Sequence, residues 1–306
     1  MKYGLGRIGV LYGGSSSERD ISIKSGQAVY EAITSLGLDA VCIDPKDPYS
    51  LTKDISDLGI KVVFIALHGK FGEDGTIQTI LDEIGMPYTG SGPEASRLAM
   101  DKILSKEIFK NNGIPVPEYK VLERPFDPDS VINGFKLPLV IKPSSEGSSV
   151  GMNIVEDEKH LSQAVDEAFS YDNKILIEEY IKAEDIAVGV FEDNPLPVVH
   201  IKPKDKFYSF NAKYTAGMCE YVVPAKFPNA MIEEAQRLGI LAHRSLGCRF
   251  FSRADMLLDE KSGRIVVLEA NTIPGLTSTS LLPKAAQAAG IDFPQMCLRL
   301  LEAAIA

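Results

Sequence analysis

The chain lacks most of the signals that assign a sequence to a special class. Its four cysteines, Cys42, Cys219, Cys248 and Cys297, stand far apart with no CxxC pair, which excludes zinc-finger spacing and a disulfide framework and leaves reduced thiols as the expectation. No apolar run approaches the roughly 20 residues needed to span a bilayer. Residues 1–7 lead into a first strand without the apolar core and small-residue cleavage site of a signal peptide, so a cytoplasmic location and no membrane partner are expected. No basic run offsets the net charge of −10, which argues against nucleic acid as a partner and means that a bound polyphosphate would need local positive charge. The GxxxxGK(S/T) and GxGxxG spacings are missing as well, as are internal repeats and low-complexity segments.

What remains is an ordinary globular composition, 45% hydrophobic and 24% charged over 306 residues, long enough for two or three domains of about 100–150 residues. Residues 7–11 predict a strand, 12–17 a loop, and Ile21, Ala28, Val29, Ala32, Ile33 and Leu36 recur at helical spacing. Strands are expected at 40–43 and 62–67 and a helix at 76–84, a doubly wound α/β unit over the first ninety residues. Polar loops at 13–18 and 68–75 follow strand ends, where open α/β sheets bind ligands. Taken singly, tight βα turns account for their glycines equally well, and Glu18 near a helix N-terminus is stabilised by the dipole whatever its function.

A helix carrying Met100, Asp101 and Lys102 follows, and Pro115 and Pro117 open a second unit. Residues 139–143 form an apolar strand containing Lys142, 144–152 a loop of small residues, and 174–181 another strand. A lysine in such a strand is costly unless it faces an anion, and the N–H and O–H donors of the loop suit phosphate oxygens; a lysine snorkelling from a strand end is the plainer alternative. A third unit starts near Asp185 with strands at 186–191 and 197–201. Residues 202–224 show no periodicity and carry Lys206, Phe207, Tyr208, Lys213 and Tyr214, which suits either a cover loop over a ligand or a surface insertion. Helices are expected at 230–246, 280–289 and 293–305, and His160, His200 and His243 read as structural or surface residues.

The densest chemistry lies in a predicted hairpin, strands 250–258 and 264–271 joined by a turn at 261–263. Asp255, Glu269 and Asn271 are hard oxygen ligands, and Glu269 and Asn271, two apart, share a face. Buried carboxylates need a cation between them. Mg²⁺ suits this set, since it takes a few carboxylate oxygens and fills its other positions with water and phosphate. A salt bridge to Arg253 satisfies the hairpin equally well.

Taken together, the ordered motifs GGSSSERDIS, HGKFGEDG, MDK, IKPSSEGSSVGM, LIEEY, NAKY, SRADM and LEANTIPGLTSTS closely resemble the D-alanine:D-alanine ligase family of the ATP-grasp superfamily, over nearly the whole chain. The resemblance implies an α/β (α+β) three-domain ATP-grasp fold with an N-terminal doubly wound α/β domain. Its limits would be 1–96 for the N-terminal substrate-binding domain, 97–184 for the central domain and 185–306 for the C-terminal domain with its cover loop. The implied reaction is ATP plus two D-alanines giving D-alanyl-D-alanine, ADP and phosphate, for peptidoglycan precursors, in a homodimer.

By the same resemblance Lys102 and Lys142 contact ATP phosphates under the loop 146–152, and Lys213 reaches the terminal phosphate. Glu178 and backbone groups of Glu179 and Ile181 bind adenine, Tyr180 and Phe207 pack on the base, and Asp185 holds the ribose. Asp255, Glu269 and Asn271 bind two Mg²⁺ ions, with Mn²⁺ as a substitute. Glu18 takes the ammonium of the first D-alanine with His68 nearby, Arg253 and the Gly275 N–H stabilise the oxyanion, and Ser280 binds the second carboxylate. Glu18, Ser148 and Tyr214 form a hydrogen-bonded triad joining three loops. Departures from the family pattern are Asp185 where glutamate is usual, SFNAKY where DYEAKY is common, and Phe250-Phe251-Ser252 where many relatives carry glycines before the arginine. A D-alanine:D-lactate ligase is the nearest rival expectation, and a nucleotide-binding regulator without turnover is the rival from another class.

Overall fold

The computed structural model describes residues 4–45, 47–126, 134–147, 149–204 and 217–306. Three sheets organise the described residues. The first is built from β1 (Arg7–Leu11), β2 (Ala40–Ile43) and β3 (Ile60–Ile65), in the order β2-β1-β3 and all parallel. It is flanked by α1 (Arg19–Ser35), α2 (Pro48–Asp57) and α3 (Thr76–Glu83). Alternation along β3 explains why its sequence is nearly all apolar. Val62 and Phe64 enter one core with Val29 and Ile33 of α1, while Val63 and Ile65 enter a second core with Leu51, Ile55, Ile77 and Leu81, so both faces are covered.

Two short helices follow, α4 (Pro93–Met100) and α5 (Lys102–Asn111). The single helix expected through Met100, Asp101 and Lys102 is in fact broken at Asp101. Its extended backbone (ψ 106°) stops α4, and its carboxylate accepts from the N–H groups of Ile103 and Leu104 to cap α5. Aspartate favours this cap over a helix interior because it satisfies otherwise orphaned N–H groups. The break lets the Lys102 N–H donate to the Ser144 carbonyl at 2.9 Å.

The second sheet is antiparallel, from β4 (Tyr119–Glu123), β5 (Leu139–Pro143), β6 (Asn153–Val155) and β7 (Lys174–Glu179) in the order β4-β7-β5-β6, with α6 (Leu161–Tyr171) covering one face. The third contains β8 (Glu184–Phe191), β9 (Asn194–Pro195), β10 (Val199–Pro203), β11 (Cys219–Val222), β12 (Phe251–Leu258) and β13 (Ile265–Asn271), in the order β11-β10-β8-β12-β13 with β9 on β8. The segment 202–224, expected to be without regular structure, begins and ends in paired strands, with Pro203 opposite Cys219. Alternation over four residues was too short to stand out there. The tip of that segment, with Phe207, Lys213 and Tyr214, lies outside the described residues, as does Ser148.

Helix α7 (Asn229–Ser245) packs on the third sheet, as do α4 and α5 through Ala99 and Phe109. After α8 (Leu281–Ala288), the last helix α9 (Phe293–Ile305) returns to the first core, where Met296, Cys297, Leu300 and Leu301 meet Val29 and Ile33. The two ends of the chain therefore share one core.

Candidate active site

Strands β12 and β13 place the acidic hairpin at the meeting point of two clefts. Asp255 pairs in register with Glu269 and Arg253 with Asn271, and a register shift follows between Asp255 and Met256. Directly opposed residues of an antiparallel pair project to one face, so all four side chains gather. Arg253 grips Asp255 with both prongs, Nε to Oδ1 at 2.6 Å and Nη2 to Oδ2 at 2.7 Å, and Asn271 Nδ2 donates to Asp255 Oδ2 at 3.1 Å. Lys102 Nζ lies 3.5 Å from Glu269 Oε2. The salt bridge to Arg253 is formed, at Asp255, and Lys102 adds an ion pair at Glu269. Among the described residues no group of three or more His, Cys, Asp and Glu forms a metal cluster; the set here is two carboxylates and an amide.

The first cleft opens between the second and third sheets. Its walls carry Lys102, Lys142, Glu178, Glu179, Tyr180, Ile181, Asp185, Asp255 and Glu269, with apolar surface from Val140, Met152, Ile154, Met256 and Leu268. Lys142 does not snorkel: it is 7% exposed and its Nζ sits 2.9 Å from Glu178 Oε2. Lys102 Nζ donates to the Glu146 carbonyl at 2.6 Å, and Lys70 pairs with the Glu146 carboxylate at 2.6 Å, which pins the start of the small-residue loop to the loop that follows β3. The Glu179 N–H is already given to the Glu118 carbonyl at 2.9 Å, and its side chain accepts from Arg264 at 2.8 Å.

The second cleft shares Glu269 with the first. It is lined by Glu18, His68, Glu73, Gly147, Arg253, Asn271, Gly275 and Ser280. Glu18 precedes the first turn of α1 and is buried, and the central loop closes onto it. A Cβ on Gly147 would meet Glu18 Oε2 at 2.6 Å, so a larger residue there would have to push the carboxylate or the loop aside. Ser280 precedes α8 and exchanges hydrogen bonds with Thr277, Oγ to Oγ1 at 2.8 Å.

His68 is held on both sides. Burial pushes its imidazole down to about 4, with a hydrogen bond to the Ile273 backbone opposing and Arg253 adding to the shift. A neutral ring has one donor and one acceptor. The donor must face the Ile273 carbonyl, so Nε2 accepts from Ser25 Oγ at 2.9 Å, and Ser25 Oγ in turn accepts from the Leu276 N–H at 3.3 Å. Ser25 and Ser22 form the buried face of α1 near its start, where small residues let the helix approach the loop 272–280. Neither ring nitrogen of His68 is left for a ligand in this state.

Three participants escaped the reading of the sequence as site residues. Ser25 is one. Glu73, inside HGKFGEDG, accepts from the Gly69 N–H at 2.6 Å and is pushed well above the carboxylate range by burial and then by the charge of Glu18. Its place in a motif beside His68 was the available signal. Lys106, fully buried on α5, reaches Glu178 Oε1 at 3.1 Å, and nothing in its own segment marks it.

The family model described as "D-ala D-ala ligase C-terminus" matches residues 108–302 and the one described as "D-ala D-ala ligase N-terminus" matches residues 46–91. The D-alanine–D-alanine ligase of Geotalea uraniireducens is 46% identical over 302 residues, 97% of this chain and 95% of that protein. That of Halalkalibacterium halodurans is 40% identical over 295 residues, 95% of this chain and 96% of the relative. A crystal structure of the Bacillus anthracis D-alanine–D-alanine ligase complexed with ATP superposes with a TM-score of 0.85 at 33% identity, covering 98% of this chain and 97% of that one. A second crystal structure of the Bacillus anthracis enzyme gives 0.87 at 36% identity with the same coverage. With sequence and fold in agreement along its length, this chain belongs to the D-alanine–D-alanine ligase family.

Proposed function

We propose that this chain is an ADP-forming ligase that joins two D-alanines into D-alanyl-D-alanine for peptidoglycan precursor synthesis. The observation that carries this reading is the junction of the two clefts at Glu269. One cleft has buried lysines and apolar walls suited to a nucleotide triphosphate. The other has a buried anion, Glu18, facing Arg253 and the Gly275 turn, suited to a zwitterionic amino acid. Phosphoryl transfer asks for little beyond positioning and charge neutralisation.

In this reading ATP lies in the first cleft with adenine against Glu178 and the Glu179 carbonyl, ribose at Asp185, and phosphates toward Lys102 and Lys142. The carboxylate of the first D-alanine, its ammonium held by Glu18, attacks the γ-phosphorus. ADP leaves, and D-alanyl phosphate forms. The amine of the second D-alanine, whose carboxylate lies at Ser280, attacks the acyl carbon; the tetrahedral oxyanion is met by Arg253 and the Gly275 N–H. Collapse expels phosphate, and the amine gives up its proton as the amide forms. His68 and Ser25 hold the turn that carries Gly275.

Asp255, Glu269 and Asn271 fit Mg²⁺, with Mn²⁺ as a substitute. Hard oxygens of two carboxylates and an amide leave positions for phosphate oxygens, which is how Mg²⁺ usually sits in nucleotide sites. Bound there, two ions supply neutralisation of phosphate charge. The division at 96 and 184, a cytoplasmic location and a homodimer belong to the same reading. No described helix is long and apolar enough to cross a membrane.

The test is phosphate release from Mg²⁺-ATP with D-alanine, with L-alanine and with no amino acid, coupled to mass detection of product. Phosphate matched by dipeptide, with the D-enantiomer alone, is the expected result. ATP binding without phosphate release would revive a regulator, and product formed only with D-lactate would move the chain to depsipeptide synthesis.

A further inference from the structure

Beneath the first cleft lies a charge cluster larger than a nucleotide site needs for contact alone. Glu178, at the end of β7, is 2% exposed, and it sits between two buried lysines. Lys142 Nζ lies 2.9 Å from its Oε2 on the cleft side, and Lys106 Nζ lies 3.1 Å from its Oε1. Lys106 is 0% exposed and does not line the cleft. Its ammonium meets Glu178 as an ion pair, the ring of Tyr119 lies 5.8 Å away, and the charges of Lys142 and Glu269 also act on it. A lysine kept for packing would be better replaced by an apolar side chain, because desolvating an ammonium costs several kcal/mol that one carboxylate repays incompletely. Burial accordingly drops Lys106 to about 8, with Glu178 pulling it back only in part. The carboxyl of Glu178 is pushed up by burial, but Lys106 and Lys142 outweigh that and hold it below the usual range. The pairing therefore serves the carboxylate.

We propose that Lys106 is a positioning residue for nucleotide choice, holding Glu178 anionic and aimed from behind so that a 6-aminopurine triphosphate is accepted and a 6-oxopurine triphosphate refused. The proposal rests on the reading above that places adenine against Glu178. A 6-aminopurine presents an exocyclic N–H donor to the carboxylate. A 6-oxopurine presents a carbonyl oxygen, which an anion repels and which only a protonated carboxyl could serve as donor. Lys142 cannot guard the charge alone, because the same ammonium is the one assigned to the phosphates. With Lys142 drawn toward ATP, Lys106 is the counterion that stays. Without it, a carboxylate this deeply buried takes up a proton or turns to follow Lys142, and the distinction between amino and oxo groups is lost.

The experiment compares ATP with inosine triphosphate, in which position 6 carries an oxo group and N1 a hydrogen, in the wild type, Lys106→Met and Lys106→Arg; the N1 change is common to all three proteins, so the readout is the change in preference between them. Kd is measured by calorimetry and KM by phosphate release. The wild type is expected to prefer ATP strongly. Lys106→Met is expected to narrow the preference by about tenfold or more, the worth of one hydrogen bond to a charged group, with the loss falling mainly on nucleotide KM. Lys106→Arg, which keeps the charge, is expected to retain most of the preference. Lys106→Gln carries the same comparison if the methionine variant does not fold. Equal weakening of both nucleotides, or an unchanged ratio, would overturn the proposal while leaving the nucleotide site intact. A wild type that binds ATP but does not prefer it would overturn the proposal as well, and one that binds no ATP would overturn the underlying reading too.

Discussion

Arg253 and Asp255 form a two-pronged ion pair along one face of β12, with contacts of 2.6 and 2.7 Å. The guanidinium proposed to meet the oxyanion and a carboxylate proposed to hold Mg²⁺ thus neutralise each other before substrates arrive.

Removing the arginine should therefore act on the chemical step. Arg253→Ala is expected to lower kcat by about 100-fold or more, in the range seen when an oxyanion donor is lost, while the Kd for ATP changes only a few-fold. Stopped-flow turnover beside calorimetric ATP binding checks this; comparable losses in both would reassign Arg253 to nucleotide binding.

Gly147 offers a steric test of how the central loop meets the first amino acid. Because a Cβ there would sit 2.6 Å from Glu18 Oε2, Gly147→Ala must displace either the loop or the carboxylate. The KM for the first D-alanine should rise about tenfold, as expected when one charge-assisted hydrogen bond is misaligned. An unchanged D-alanine KM would show that the contact relaxes at no cost.

The pH dependence of stability should carry the signature of His68. Its folded value of about 4 lies below the ordinary 6.5, so the unfolded chain binds the extra proton. Stability is then complete above about pH 6.5 and is lost as pH falls toward 4, by about 2 kcal/mol between pH 7 and pH 5. Urea titrations of wild type and His68→Asn at both values test it. The slope attributed to the ring should vanish in the variant, and parallel profiles would refute the assignment.

At Gly239, on α7, two effects oppose each other. Alanine is better in a helix by about 1 kcal/mol, but its Cβ would meet Val188 Cγ1 at 2.7 Å across the interface with β8. Overpacking costs about 1–3 kcal/mol, so Gly239→Ala should lower stability, or leave it unimproved, in a denaturant melt. A clear gain would mean that the α7 interface is softer than its contacts suggest.

Much of the molecule follows from local pattern. Apolar runs at 7–11 and 139–143 are strands, and the period of 3.6 from Ile21 to Leu36 is a helix. The spacing of Arg253, Asp255, Glu269 and Asn271 on two neighbouring strands already implied one face, because alternation along a strand is a local property of the backbone. One helix expectation and one loop expectation had to yield: Asp101 satisfies N–H groups at a cap better than it serves a helix interior, and the ends of the segment 202–224 pair across a gap too long to read.

What the sequence by itself determined, then, is the set of elements and the hairpin of acids and arginine, since each rests on interactions between near neighbours in the chain. Only the tertiary structure decided that Lys106 is buried against Glu178, 72 residues away by their numbers, that the Ile273 carbonyl fixes the tautomer of His68 while Ser25 links the ring to the Leu276 N–H, and that α9 closes the first core. A lysine or serine on an amphipathic helix has the same local pattern whether its outward neighbour is water or a carboxylate. Which of the two it meets depends on desolvation and charge supplied by distant strands, and those terms exist only once the sheets have come together.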